Sequence, residues 1–172
     1  ELLFGDRNPS GHLSMTLPRS VGQLPLYYNA APSGRPVNGY YTECRNYIDE
    51  SGSPLYPFGY GLSYTSFQVE KARLEKETLS LAELSAGEKA VLHVWVSNTG
   101  ERDGDTVLQL YLRDPAASMA RPLRELKAYE RRTLSAGETA EFVFRLGLEE
   151  LGYYLPDGLL TLEKGEIQLF AG

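Results

Sequence analysis

The chain has 172 residues, with 17 Lys and Arg against 23 Asp and Glu, a formal net charge of −6. That length suits one domain, or a domain with a fragment of another, and can bury a core without disulfides or metals. A 42% apolar, 23% charged composition excludes a wholly disordered chain, and the acidic balance argues against nucleic acid or an anionic membrane as a partner. No apolar run nears the roughly 18 residues needed to cross a bilayer. The single Cys44 excludes an internal disulfide. His12 and His93 lie far apart without Cys or His companions, so no zinc site is expected. The sequence opens at Glu1 without a positively charged, apolar leader and reads as a piece of something longer. Compartment stays open: periplasmic, secreted and cytoplasmic origins all fit.

Residues 1–65 hold 7 of the 10 prolines and 8 of the 12 tyrosines but no lysine. Turn chemistry punctuates them at Ser33-Gly34-Arg35-Pro36, Ser51-Gly52-Ser53-Pro54 and Pro57-Phe58-Gly59. So irregular a segment is not expected to fold alone. Its eight tyrosines, with Phe4, Phe58, Leu24 and Leu26, are nevertheless too much apolar surface for a solvated linker. A tail that wraps on another domain, most of which is missing, accounts for both features.

Residues 66–172 hold all five lysines, the only Trp and 18 of the 23 acidic residues. Here the hydrophobic period is two, the mark of half-buried strands. Leu92, Val94 and Val96 share one face, as do Leu108, Leu110 and Leu112, then Phe142, Phe144 and Leu146, then Ile167 and Leu169. Further strands are predicted near 67–74, 125–134 and 158–163. About seven short strands in roughly 105 residues fit an immunoglobulin-like sandwich. The stretch 74–84 has helical propensity, which Ser80 and Gly87 leave ambiguous. Leu84-Ser85-Ala86-Gly87-Glu88 and Leu134-Ser135-Ala136-Gly137-Glu138 are the same pentapeptide, each expected to lead into a strand through a glycine of positive φ.

Ser10-Gly11-His12-Leu13 followed by Thr16-Leu17-Pro18-Arg19-Ser20-Val21-Gly22-Gln23 resembles a motif run of family 3 glycoside hydrolases. Leu26-Tyr27-Tyr28-Asn29, Gly34-Arg35-Pro36 and Tyr47-Ile48-Asp49 continue the resemblance, and Pro54-Leu55-Tyr56-Pro57-Phe58-Gly59-Tyr60-Gly61-Leu62-Ser63-Tyr64-Thr65-Ser66-Phe67 resembles that family's signature. Asn98-Thr99-Gly100, Gln109-Leu110-Tyr111-Leu112, Asp114-Pro115 and Arg121-Pro122-Leu123-Arg124-Glu125-Leu126 resemble its carboxy-terminal fibronectin-III-like module. The resemblance spans essentially the whole chain. Bacterial β-glucosidases with this extra module are the subgroup it points to.

The resemblance implies a mostly β chain. Residues 1–65 would be the carboxy-terminal remnant of the hydrolase's α/β sandwich domain, and 66–172 a fibronectin-III-like β-sandwich. It also implies a parent that cleaves β-glucosides with retention, using no metal or organic cofactor. Retention needs two carboxyls roughly 5–5.5 Å apart, a nucleophile and an acid/base. In the family both belong to stretches upstream of residue 1, so no catalytic residue is expected here. The implied partners are the missing amino-terminal catalytic domains of the same chain, with self-association through the exposed tail when they are absent. A free-standing sandwich that binds glycans or proteins is the rival reading.

Among individual residues, Asp103 and Asp105 flank a glycine but lack the rest of a calcium-loop pattern, and read as a polar turn. Glu149 and Glu150, taken as strand neighbours, would point to opposite faces and read as solvated surface. Trp95 and His93 lie on the face opposite the core. An exposed Trp there would be a sugar-stacking platform, and a covered one would pack under a loop. His12 and Cys44 are assigned no chemistry. Arg19 and Arg35, two of four basic residues in the first 65, are read as buried interdomain anchors together with Tyr56, Phe58 and Tyr60.

Overall fold

The computed structural model of the chain describes residues 1–32 and 51–172. The described residues form eight strands: β1 (Phe67–Leu74), β2 (Ala90–Asn98), β3 (Gly104–Arg113), β4 (Glu125–Leu134), β5 (Thr139–Leu146), β6 (Tyr153–Tyr154), β7 (Leu160–Thr161) and β8 (Gln168–Ala171). One sheet has the order β1-β2-β5 and a second β4-β3-β8, every pair antiparallel; β6 and β7 form a two-stranded ladder. The chain is thus mostly β, a fibronectin-III-like sandwich.

The period-two phase is the one the sequence predicts. Leu92, Val94 and Val96 on β2 meet Phe142, Phe144 and Leu146 on β5, with Leu108, Leu110 and Leu112 of β3 facing them from the other sheet. Val94, Leu110 and Phe142 are fully buried. Burial of these apolar side chains is the chief driving force holding the two sheets together.

The rest of the chain departs from expectation in three places. The ambiguous stretch 74–84 resolves into one helical turn, α1 (Leu81–Ser85). Ser80 accepts the Glu83 amide while the Glu83 carboxylate reaches back to the Ser80 amide, a reciprocal cap. Lys76 and Ser80 together hold the Glu83 carboxyl down at about 2. The strand predicted over 158–163 shrinks to β7, because the turn at Gly158 (φ 84°) folds it back as a two-residue ladder with β6. Glu149 and Glu150 lie on a short helix, α2 (Leu148–Leu151), and not on a strand; Glu150 accepts the Gly147 amide at 2.6 Å and closes the helix start.

The twin pentapeptides behave alike at one end only. Gly87 (φ 95°) and Gly137 (φ 77°) both turn the chain into a strand, β2 and β5, which pair with each other. Upstream, Leu84 and Ser85 close a helix, whereas Leu134 ends β4. Context decides the entry, and the glycine's left-handed conformation decides the exit.

Candidate functional site

The described parts of the arm, 1–32 and 51–65, meet the outward face of the β4-β3-β8 sheet at Gln109 and Tyr111 of β3. The arm's own backbone is tied by bridges between 12–17 and 55–61. Leu17 N–H donates to Tyr56 O at 2.8 Å, Leu13 N–H to Tyr60 O at 2.8 Å and Gly59 N–H to Leu13 O at 2.8 Å. The signature stretch therefore finds its hydrogen bonds forty residues back in sequence.

The docking point is Gln109 at the middle of β3. The Nδ1 of His12 lies 2.6 Å from the Gly59 carbonyl. The Gln109 side-chain amide lies 3.0 Å from the same His12 nitrogen and donates to Gly59 O at 3.4 Å, while its oxygen accepts from the Tyr111 hydroxyl. Gly59 has φ 80°, and a Cβ there would sit 2.6 Å from both Gln109 Oε1 and the Tyr111 hydroxyl. Only glycine meets both demands. Beside it an aromatic column forms. Tyr28 stacks on Phe58 with centroids 3.9 Å apart, and Phe58 meets Tyr111 edge-on at 6.4 Å and 83°. Burial, with Tyr28 alongside, pushes the Tyr111 hydroxyl up to about 12.

A second tie sits where the arm enters β1. Thr65 donates to Oδ1 of Asn98 at 2.7 Å, and Asn98, 1% exposed, donates to the carbonyls of Arg102 (2.7 Å) and Leu134 (3.1 Å). Thr99 N–H takes the Ser66 carbonyl at 2.7 Å, and Asn8 Oδ1 accepts from Tyr64 N–H at 2.7 Å. Several apolar side chains of the arm stay in solvent: Leu3 (93%), Phe4 (88%) and Val21 (83%) are exposed, as are Leu2, Leu24 and Tyr27.

Among the residues singled out from sequence, Phe58 meets Tyr111, and Tyr56 and Tyr60 pack on one another at 4.9 Å. Arg19 is exposed rather than buried, and its Nε donates to Ser53 O at 3.1 Å within the arm. Arg35 and Cys44 lie outside the described residues. Asp103 accepts the Ala136 amide at 2.9 Å, and Asp105 pairs with Thr133 and Arg131, which hold its carboxyl below the usual range. Trp95 has the Lys71 ammonium 4.1 Å from its ring centroid and the His93 ring stacked at 5.9 Å. No group of three or more His, Cys, Asp or Glu able to hold a metal occurs among the described residues. His12, Gln109 and Asn98 were not expected to matter. Asn98 carried a signal: it continues the core phase of Leu92, Val94 and Val96, where a polar residue is tolerated only when fully hydrogen-bonded.

A fibronectin-III-like sandwich with an aromatic arm pinned to one sheet is the class of protein this geometry defines. Residues 1–64 match the family profile described as the glycosyl hydrolase family 3 C-terminal domain, and residues 106–172 that of the fibronectin type III-like domain. The chain is 44% identical to the periplasmic β-glucosidase of Salmonella typhimurium, over 100% of this chain and 22% of that protein. A β-xylosidase of Formosa agariphila is 38% identical over 99% of this chain and 22% of its own length. Among solved structures, a β-glucosidase of Erythrobacter marinus superposes with a TM-score of 0.87 at 45% identity, over 99% of this chain and 21% of that one. The Listeria innocua β-glucosidase in complex with isofagomine gives 0.85 at 38% identity, over 99% and 24%. The chain belongs to glycoside hydrolase family 3 as its carboxy-terminal region, with the fibronectin-III-like module. It spans about a fifth of the length of the relatives it matches.

Proposed function

We propose that this chain is a non-catalytic, carboxy-terminal part of a retaining β-glucosidase, divided at 65/66 into a remnant of the α/β sandwich domain and the fibronectin-III-like domain. Its task is to seat and stabilise the catalytic domains upstream. The observation that carries this reading is that the arm is fixed to the sandwich through Gly59, Phe58 and Thr65 while its Leu2, Leu3, Phe4, Val21, Leu24 and Tyr27 stay exposed. Large apolar side chains left in solvent in such number fit surfaces that further domains cover. Tyr56, Phe58, Tyr60 and Arg19 then act as anchors that give the arm its shape.

The carboxylates described above have structural partners: Glu83 is held by Ser80 and Lys76, Glu150 by the Gly147 amide, Asp103 by the Ala136 amide and Asp105 by Thr133 and Arg131. On this reading the chain itself is inactive, and the β-glucoside is the whole enzyme's substrate. The purified chain is expected to leave a nitrophenyl β-glucoside intact and to show no saturable heat of binding with cello- or laminari-oligosaccharides. Turnover would overturn the non-catalytic assignment. Saturable micromolar binding would make the chain a glycan-binding module instead.

A further inference from the structure

His93 stands on the outward face of the β1-β2-β5 sheet with both ring nitrogens on carboxylates. Nδ1 lies 2.6 Å from Glu141 on β5, and Nε2 lies 2.8 Å from Glu75, the residue that follows β1. A neutral imidazole offers one N–H and one lone pair, so it satisfies one ionised carboxylate and repels the other. The imidazolium satisfies both. The His93 side chain is only 15% exposed, against 52% for Glu75 and 43% for Glu141, so the ring lies beneath its two acceptors.

The charges around it are mixed. Arg73 is the β1 register partner of His93, and Val143 its β5 partner; Lys71 pairs with Trp95, and Arg145 with Val91. Trp95 stacks on the imidazole with an 18° tilt. The two carboxylates sit at hydrogen-bond distance. Coulomb energy falls with separation, so they outweigh the longer and better solvated cationic side chains.

The strand held by this contact needs it. Among the described residues β1 pairs on one side only, shifts register between Val69 and Lys71, and has no buried residue. We propose that Glu75–His93–Glu141 is a proton-operated clasp that ties the end of edge strand β1 across β2 to β5, and that loss of the His93 proton releases it.

The sign follows from the bonds. Glu75 first and Glu141 next raise the imidazole above its ordinary 6.5. The clasp is therefore complete below 6.5 and is lost as the pH rises through the folded value. A suitable probe is the Glu75 amide, which donates to Val91 O at 3.0 Å.

The test is an NMR titration of the His93 ring nitrogens in the full chain, with hydrogen exchange of the Glu75 amide corrected for its intrinsic pH dependence. The His93 midpoint is expected above 6.5. For each unit it lies above the free value, corrected exchange at Glu75 should speed by about tenfold across the window. Glu75→Gln, an exposed change, should lower the midpoint and flatten that step. His93→Gln should abolish it. A His93 midpoint at the ordinary value, corrected exchange that is level across the midpoint, or a step that survives Glu75→Gln would each overturn the clasp.

Discussion

The hydroxyl of Thr65, the last residue of the arm, donates to the buried side-chain oxygen of Asn98 at 2.7 Å, joining the arm to the end of β2. Because Asn98 also holds the Arg102 and Leu134 carbonyls, one side chain links the arm, the β2–β3 turn and the end of β4.

Replacing Asn98 with Leu leaves the Thr65 hydroxyl and two carbonyls without their partner. The expected loss of stability is about 2–4 kcal/mol, from the desolvation cost of unpaired polar groups. Urea denaturation of the full chain measures it. Thr65→Val should cost less, since it removes one donor and leaves the other Asn98 bonds in place.

Gly59→Ala forces a side chain into the space held by Gln109 and the Tyr111 hydroxyl, at a φ that costs a non-glycine residue about 1–3 kcal/mol. The arm should lift from β3. The readout is the Tyr111 phenol, pushed up to about 12 by its burial under the arm. Ultraviolet titration should show one tyrosine moving toward the ordinary value of 10 in Gly59→Ala, and again in a chain lacking residues 1–65.

Phe142 is completely buried between the sheets. Phe142→Ala should destabilise the chain by about 3–5 kcal/mol, the usual range for an aromatic removed from a packed core. An unchanged thermal midpoint would show that the β5 register is misassigned.

Among the described residues, all twelve buried members of the main core cluster lie beyond residue 66. Residues 66–172 alone should therefore melt cooperatively. The full chain, carrying the exposed Leu3, Phe4 and Val21, should self-associate at tens of micromolar in light scattering, while 66–172 stays monomeric. Equal monomeric masses would mean that the arm covers its own apolar surface.

The sandwich was legible because its strands keep a strict alternation, and the core face could be read from Leu92, Val94, Phe142 and Phe144 directly. α2 was not legible. Leu148-Glu149-Glu150-Leu151 is too short for a 3.6-residue period to show, and its start is fixed by a contact between Glu150 and the Gly147 amide that no local pattern announces. The docking site was hidden for a different reason. His12, Gly59 and Gln109 are brought together over separations of 47 to 97 residues, and nothing local to any one of them announces the other two. Asn98 was the exception, a polar residue at a core-phase position.

The arm runs directly into β1, an edge strand that among the described residues pairs with β2 alone. A pull on an undocked arm would peel that strand from the edge, breaking its ladder one hydrogen bond at a time. Docking changes the load path. Force entering at 55–61 passes through Gly59 and Phe58 into β3, which has strands on both sides, and through Thr65 into Asn98. This edge of the sandwich is thereby shielded from tension applied through the chain's own amino-terminal side.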